Sequence, residues 1–170
     1  MLSIMLQVDT FALGEVFVFE KVLDIFTFVF LLVLRCDEGS VYFHQTEKCY
    51  ILRTTKKSWS TARTNCQEKL GRDGDLASIP NEATAEFIRE NFKFLTARVW
   101  LGGHRTASGP WTWSDGSKWS YENWYPGQPN EVESGGAYIY LSPDNHEDQR
   151  WFDATESAKD YFSICQHTIR

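Results

Sequence analysis

The residues with the clearest chemistry in this sequence are its four cysteines, Cys36, Cys49, Cys66 and Cys165. A zinc site would show close pairs of cysteine or histidine, and these spacings do not match one. Because the number is even, the thiols would form two disulfides in an oxidising compartment, with three possible pairings. A bridge joining the two ends of the domain would close a loop of roughly 100 residues and contribute up to about 4.7 kcal/mol.

Other side chains that could catalyse a reaction or bind a metal are not arranged for it. The four histidines lie far apart in the sequence and show no ligand spacing: His44, His104, His146 and His167. No two carboxylates are marked as an acid–base couple, and neither a glycine-rich phosphate loop nor a nucleophile elbow is present. The acidic run from Asp144 to Asp148 is typical of a solvated turn. We therefore expect a binding module and not an enzyme.

Length, composition and charge narrow the class of protein further. The chain has 170 residues, which is enough for one ordinary domain and a leader but too few for two domains. Hydrophobic residues make up 42% of the sequence, so a packed core is expected. The formal net charge of -6 argues against a nucleic-acid partner, which would need a basic face.

Residues 1–35 are interpreted as a leader. In the run from Ile25 to Leu34 only Thr27 is polar, and ten residues is the length of a signal-peptide core but too short to span a bilayer. The segment ahead of this run is acidic, and no small-residue cleavage site precedes Cys36. We expect a signal peptide, cleaved or inefficiently processed, and hence secretion. The alternatives are a membrane anchor with an extracellular domain, an incorrect start site and a buried helix.

Two helices are predicted after the leader. The first shows an apolar face at three- and four-residue steps, formed by Trp59, Ala62, Cys66 and Leu70, and Gly71 is expected to end it. Asn81 is a favourable N-cap for the second helix, whose apolar face is formed by Ala83, Phe87, Ile88 and Phe92.

Short strands are predicted on either side of these helices. Two of them, Val41–Phe43 and Cys49–Arg53, precede the first helix. The others are Val99–Leu101, ended by Gly102 and Gly103, then Trp111–Trp113, Ala137–Leu141, Arg150–Asp153 and Tyr161–Gln166. From Tyr121 to Gly136 there is little periodicity, which indicates a long ordered loop of the kind that is usually functional. This order of elements predicts an α+β fold.

The motifs along residues 36–167 resemble, in order and spacing, the C-type lectin-like domain family in its long form. The match is specific because several motifs coincide: Tyr42-Phe43 between two cysteines, Trp59-x-x-Ala62-x-x-x-Cys66, Leu76–Ile79, Trp100–Gly103, Trp113–Ser117, Tyr121-x-Asn123-Trp124, Gly127–Asn130, Trp151–Asp153 and Ile164–Gln166. The resemblance implies a C-type lectin-like fold, with two helices packed on short antiparallel strands and a long ordered loop.

The resemblance also implies the cysteine pairing, Cys36 with Cys49 and Cys66 with Cys165. Family members usually have a further bridge across the long loop. Its partners would fall near Ala137 and Glu156, and neither position is a cysteine. The long loop would then be held by packing, by turns and by a metal ion.

Sugar-binding members of the family hold Ca²⁺ in the long loop through side-chain oxygens that also bind two vicinal sugar hydroxyls, which suits a hard cation. The implied metal and carbohydrate ligands are Gln128, Asn130, Glu133 and Asp153, with Glu131 as a second candidate for the acidic position and Pro129 in the cis form. Phe152 stands where the family has an asparagine and offers no oxygen. The resemblance therefore implies a weak, partly degenerate calcium site, with a Kd of about 10⁻⁴–10⁻³ M.

Two functions are compatible with these residues. The first is a secreted, calcium-assisted lectin that binds a glycan or glycoprotein, favoured by Gln128, Asn130 and Asp153. The second is a domain of the same fold that has lost calcium and sugar binding and recognises a protein, favoured by Phe152 and the missing loop disulfide. Both flanking residues of the Gln-Pro-Asn motif are amides, so they do not define the sugar, and any selectivity is expected from loop residues such as Trp124 and Tyr125. Most of the seven tryptophans are expected in the core.

Overall fold

The computed structural model describes residues 36–93, 95–107, 109–130, 136–143, 149–155 and 160–169. The predicted leader and the acidic run from Asp144 to Asp148 lie outside these ranges. Two helices and eight strands are found within them. In chain order they are β1 (Val41–Phe43), β2 (Lys48–Lys57), α1 (Trp59–Leu70), β3 (Asp75–Leu76), α2 (Glu82–Asn91), β4 (Val99–Thr106), β5 (Thr112–Trp113), β6 (Gly136–Leu141), β7 (Trp151–Ala154) and β8 (Tyr161–Thr168). Neither described helix has the length and apolar composition to cross a bilayer.

Helix α1 begins and ends where its sequence predicts. The Ser58 hydroxyl caps the first turn by accepting from the Thr61 N–H at 3.4 Å. Gly71 follows the last turn with φ 71°, a left-handed conformation that favours glycine. The predicted apolar face is buried and packs against the sheet: Trp59, Ala62, Cys66 and Leu70.

Helix α2 is capped by Asn81, whose Oδ1 accepts from both the backbone N–H and the hydroxyl of Thr84, each at 2.9 Å. Ile88 is fully buried, and the Phe87 ring stacks on Phe43 of β1 with centroids 4.4 Å apart. The helix is thus attached to the N-terminal hairpin as well as to the core.

The strands form one sheet in the order β1-β2-β8-β4-β6-β7, with β3 pairing to β8 and β5 to β4. Most neighbours are antiparallel, but β4 and β8 are parallel, with Val99 opposite Phe162. The predicted antiparallel strands are thus found, and this central pair is an exception that the sequence does not predict. β8 is the last strand and enters the middle of the sheet between β2 and β4, an arrangement that local sequence patterns do not reveal.

Strand β4 also runs further than predicted, because Gly102 and Gly103 lie inside it and do not end it. A side chain at Gly103 would clash with Ile139 of β6, and one at Gly102 would clash with the Ser114 hydroxyl. The register of β4 against β6 shifts between Trp100 and His104, around these two glycines. They are needed because neighbouring segments approach the strand closely, which is a common use of glycine within strands.

Two disulfides connect distant parts of the domain. Cys36 is bonded to Cys49, and Cys66 of α1 is bonded to Cys165 of β8, each with Cα atoms 5.5 Å apart. The second bridge spans 99 residues of sequence, so it restricts most of the unfolded chain and stabilises the fold by about 4.7 kcal/mol in the chain-entropy model. Among the described residues no cysteine is free.

A cluster of aromatic rings lies beneath the long loop. Trp151 of β7 is fully buried at its centre, and four rings surround it with centroids 5.4 to 5.8 Å away: Trp113, Trp119, Tyr121 and Trp124. Edge-to-face aromatic pairs of this kind add to the energy of area burial. The loop between β5 and β6 is therefore anchored by its own rings over its described part, and its tryptophans pack internally, as expected.

Candidate functional site

The site is built where the long loop returns to the edge strand β7. The Trp151 N–H donates to the Asn123 carbonyl at 2.7 Å, and the Tyr125 N–H donates to the Trp151 carbonyl at 2.9 Å. A tight turn follows, in which the Gln128 N–H donates to the Tyr125 carbonyl at 2.9 Å. These backbone bonds place the Gln-Pro-Asn motif beside the end of β7.

Two further hydrogen bonds join the motif to Asp153 of β7. The Asn130 N–H donates to Asp153 Oδ1 at 2.9 Å, and the Asp153 N–H donates to Gln128 Oε1 at 3.3 Å. The peptide bond between them, Gln128–Pro129, is cis. Asp153 is only 4% exposed, so its carboxylate accepts this hydrogen bond from a buried position. We call this reciprocal pair of bonds the Gln128–Asp153 clasp.

The structure therefore brings together three of the four predicted ligand residues, Gln128, Asn130 and Asp153. Asp153 follows Asn130 by 23 positions and Gln128 by 25 positions, and the three residues meet through the clasp. Glu133 and the second candidate Glu131 lie outside the described residues.

Phe152 has a role that the sequence analysis missed. It neighbours Asp153 on β7, so the two side chains leave the strand on opposite faces. Its ring lies between two tyrosines: Tyr125 stacks on it with centroids 4.8 Å apart and an interplanar angle of 20°, and Tyr140 of β6 with 5.5 Å and 24°. We call Tyr125, Phe152 and Tyr140 the aromatic stack. Aromatic residues on both predicted strands β6 and β7 were the signal that could have revealed it.

Calcium is the metal that the family resemblance implies. It takes 6–8 oxygen ligands, whereas the described residues of the clasp offer one carboxylate and two amides. No group of three or more His, Cys, Asp or Glu residues among the described positions could hold a metal ion. The described residues alone therefore do not fit calcium, and a site here would require an acidic ligand such as Glu133.

Arg105 of β4 contacts an aromatic ring that packs against the long loop. Its guanidinium carbon is 5.3 Å from the centre of the Trp111 ring, a cation–π contact, and the Trp111 ring centre is 4.9 Å from that of Trp124. A positive charge of the protein itself thus occupies this part of the loop.

A second carboxylate centre lies elsewhere, at the Trp113–Ser117 motif. Asp115 Oδ2 accepts from Lys48 Nζ at 2.9 Å, from the Ser78 hydroxyl at 2.9 Å, and from Gln166 Nε2 and the Ser117 hydroxyl at 2.6 Å. We call these five residues the Asp115 network. They connect β2, the segment after β3, the turn after β5, and β8.

Electrostatics at this network favour the ionised aspartate. Burial acts to raise the pKa of Asp115, but the hydrogen bonds from Ser117 and Lys48, together with the Lys48 charge, lower the pKa to about 2. A cleft of about 350 Å³ lies beside the network, with Arg72, Asp73 and Asp75 also in its walls. Because protein donors already use the Asp115 oxygens, we interpret this network as structural: it holds these four segments together.

Comparison with known proteins decides the family. The model of the Lectin C-type domain matches residues 55–167, which is more than half of the chain. The chain belongs to the C-type lectin domain family. Its relatives include a type-2 ice-structuring protein of Hemitripterus americanus, which is 37% identical over 124 residues, covering 72% of this chain and 70% of the relative.

A second relative in the C-type lectin domain family is the galactose-specific lectin nattectin of Thalassophryne nattereri. It is 34% identical over 100 residues, which cover 56% of this chain and 60% of the lectin. The match thus spans less than two thirds of nattectin. Among solved structures, a calcium-independent type II antifreeze protein superimposes with a TM-score of 0.68 at 28% identity, covering 81% of this chain and 97% of that chain. The C-type lectin-like fold predicted from the motifs is confirmed.

Proposed function

We propose that this protein is an extracellular carbohydrate-binding lectin, not an enzyme, and that it binds a glycan or glycoprotein at the Gln128–Asp153 clasp. The observation that carries the proposal is the clasp itself, because it holds the Gln-Pro-Asn motif against β7 through Asn130 and Asp153. Recognition is non-covalent and uses the amides of the motif.

The amide side chains of Gln128 and Asn130 supply the polar contacts. Each amide carries an acceptor oxygen and two N–H donors, so together they can accept from one sugar hydroxyl and donate to another. Gln128 Oε1 is engaged by the Asp153 N–H, which leaves its Nε2 group as the donor. Asn130 is exposed at the loop surface. The clasp fixes the backbone of both residues before a ligand arrives, which reduces the ordering cost of binding.

We propose that calcium assists sugar binding but itself binds weakly. Completion of a site beside Asp153 requires Glu133, whose carboxylate would supply the second negative charge. With Phe152 in place of an oxygen ligand, we expect a Kd of about 10⁻⁴–10⁻³ M, the range of weak extracellular sites. The amides of Gln128 and Asn130 can hydrogen-bond to a sugar without the ion, and the ion adds to the affinity.

A second candidate function is recognition of a protein without calcium or sugar. It is favoured by the aromatic stack, since Tyr125 presents an exposed ring in the turn that leads into the clasp. Aromatic residues are enriched in the centres of protein interfaces. The ice-structuring relative supports the view that this fold also serves ligands other than sugars.

The test is a glycan array probed with the refolded domain in millimolar Ca²⁺ and then in EDTA. We expect sugar retention that weakens in EDTA. The site variant is Asn130→Ala, and the matched control is Asn91→Ala, which removes another exposed asparagine at the end of α2. Retention should fall with Asn130→Ala and persist with Asn91→Ala.

Three outcomes of this experiment are informative. Retention that EDTA leaves unchanged contradicts the assistance by calcium but not the lectin function. Retention that Asn130→Ala leaves unchanged contradicts the placement of the site at the clasp. Absence of retention on every glycan contradicts the lectin proposal and favours the protein ligand.

Localisation is part of the same proposal. Two disulfides fit an oxidising compartment, and residues 1–35 are proposed to direct secretion, with membrane anchoring as the alternative. The N-terminal residue of the mature protein, determined by mass spectrometry, decides between them: a start near Cys36 supports secretion, and a retained leader supports anchoring.

A further inference from the structure

The segment from Lys48 to Gln67 concentrates positive charge on a protein that is acidic as a whole. It contains five lysine and arginine residues and no aspartate or glutamate, whereas the complete chain has 17 basic and 23 acidic residues. The structure places this segment in strand β2 and in most of helix α1. A local excess of cations creates a field at the surface that attracts anions.

Two of these five cations are neutralised by the protein itself. Lys48 Nζ lies 2.9 Å from Asp115 Oδ2, and Arg63 Nε lies 3.1 Å from Asp75 Oδ1. Within the part of the chain that the structure describes, the other three form no ion pair: Arg53, Lys56 and Lys57. We call these three residues the β2 cation patch. Its charge is left for a partner outside the described chain.

The patch lies on a part of β2 that is open on one side. Strand β1 pairs with β2 only as far as Tyr50, so no described strand covers the outer edge of β2 beyond it. On the other side, the pairing with β8 is irregular between Arg53 and Lys57. The side chains of Thr54 and Thr55 in this stretch are exposed, and their hydroxyls can donate to an anion beside the cations.

The start of helix α1 adds to the positive potential of the patch. Ser58, directly after Lys57, caps the helix, and the first turn contains no acidic residue. The partial positive charge of a helix N-terminus is therefore not offset by a carboxylate of that turn. Its effect is small beside that of three whole charges, but it has the same sign.

The spacing of the charges favours an extended ligand over a single small anion. A strand rises about 3.3 Å per residue, so the patch extends about 13 Å from Arg53 to Lys57. Among the described residues the exposed large hydrophobic side chains are Tyr42 and Tyr125, and neither belongs to the patch. The patch therefore lacks an aromatic platform for stacking nucleic-acid bases and an apolar face for entering a bilayer.

We propose that the β2 cation patch binds a sulfated polysaccharide, at a second carbohydrate site that does not use calcium. Sulfate groups repeated along an extended chain match separate cations and neighbouring hydroxyls, and such chains occur outside cells, where the two disulfides fit. Strands β8, β4 and β6 lie between β2 and β7 in the sheet, so this surface is separate from the Gln128–Asp153 clasp. The inference thus goes beyond the proposed lectin function and does not depend on it.

The test measures the affinity of the purified protein for heparin by fluorescence titration, at 50 mM NaCl and in EDTA. The double variant Lys56→Gln with Lys57→Gln should bind about tenfold more weakly, because it removes two of the three free charges. Replacement of both lysines by arginine keeps the charge and should keep the affinity within about threefold. The matched control is Lys118→Gln, which removes an exposed lysine elsewhere and should change little.

Salt and the chemistry of the ligand give a second readout. Contacts from three cations should weaken about tenfold to twentyfold when NaCl is raised from 50 to 200 mM. Chemically desulfated heparin should bind at least about tenfold more weakly than heparin, since it lacks the sulfate groups that the cations contact. Polyglutamate, single-stranded DNA and phosphatidylserine vesicles are the comparison polyanions. Affinity for any of them as tight as for heparin contradicts a polysaccharide partner.

Thermal unfolding should show that each variant is folded at the titration temperature. Unchanged heparin affinity in the glutamine double variant, or an equal loss in Lys118→Gln, overturns the proposal. If the double variant instead associates with itself and still binds heparin, the charges serve to prevent edge-to-edge pairing of β2. Asn130→Ala should leave heparin binding unchanged, and a loss there or in EDTA would place the ligand at the clasp. Failure of glycan binding at the clasp leaves this inference intact.

Discussion

Two aspartates of this domain, Asp115 and Asp153, both lie in sequence motifs of the family and both are mostly buried, but their surroundings differ. Asp115 accepts from four side chains and from the Ser117 N–H, and these donors come from segments across the fold. Asp153 receives the backbone N–H of Asn130, from the exposed loop beside the edge of the sheet. One carboxylate ties the fold together and the other positions a loop.

This difference shows why a carboxylate in a motif is not by itself a binding site. The partners of Asp115 include the cation Lys48, so its charge is balanced by the protein, and the side chains are 12% and 24% exposed. Asp153 contacts the segment that carries the amides of Gln128 and Asn130, of which Asn130 is exposed. The location of the donors, and not the residue type, distinguishes a structural carboxylate from a candidate ligand site.

The largest expected effect in this comparison is the loss of stability from Asp115→Ala. It leaves Lys48 without this carboxylate and removes the acceptor of four other donors, three of them side chains. Breaking a buried ion pair typically costs 3–5 kcal/mol. Because Lys48 is partly exposed, we expect about 3 kcal/mol in the free energy of unfolding, measured by urea denaturation.

The matched variant for this prediction is Asp153→Ala, which removes the acceptor of the Asn130 N–H in the clasp and should cost about 1–2 kcal/mol. The two variants should also differ in binding. Asp115→Ala should bind sugar normally at temperatures where it is folded, whereas Asp153→Ala should bind weakly. An equal loss of stability in both variants would contradict the division between a structural and a binding carboxylate.

The pH dependence of stability provides the next largest effect. The folded pKa of Asp115 is about 2, below its usual 3.8, so the ionised form is favoured by folding. Its contribution is present above pH 4 and is lost as the pH falls through about 2, because the folded state must then bind the proton as well. A shift of this size corresponds to about 2 kcal/mol.

Urea denaturation between pH 2 and pH 6 checks this dependence, with Asp115→Asn as the reference that cannot titrate. The difference in unfolding free energy between the unmodified protein and the variant should shrink between pH 4 and pH 2. A constant difference over this range would show that the charge of Asp115 does not contribute to stability.

Much of the fold was predictable because its determinants are local. Ser58 and Asn81 are caps, Gly71 ends a helix, and the apolar spacing of α1 follows directly from its sequence. The parallel pairing of β4 and β8 was not predictable from local patterns, because it depends on the path of the last strand across the sheet. The continuation of β4 through Gly102 and Gly103 depends on close approach by Ile139 and Ser114, which is also non-local.

In the candidate site, the proximity of the polar residues was predictable, but the contacts of the aromatic residues were not. Gln128, Asn130 and Asp153 stand in motifs that the family resemblance marks, and the structure brings them together. Phe152 was interpreted only as the loss of a ligand, because a substitution in a motif shows what has been removed. Its stacking between Tyr125 and Tyr140 depends on three separate chain segments meeting, which spacing does not reveal.

The smallest expected effect is a gain in calcium binding when Phe152 of the aromatic stack is replaced by asparagine. The test compares Phe152→Asn with Phe152→Leu as its control. Both variants lose the stacked ring and should be destabilised by about 1 kcal/mol. Only the asparagine adds a side-chain oxygen, at the position where the family resemblance implies a calcium ligand. If this strengthens calcium binding tenfold, from a Kd of about 1 mM to about 0.1 mM, then 10 mM Ca²⁺ should stabilise Phe152→Asn by about 1.3 kcal/mol more than it stabilises the unmodified protein. Thermal unfolding with and without Ca²⁺ would show this as a rise in Tm of several degrees.

The leucine variant should show no greater shift than the unmodified protein. An equal response of the two variants would mean that the engagement of Gln128 and Asp153 in the clasp, and not the ring at position 152, limits calcium binding.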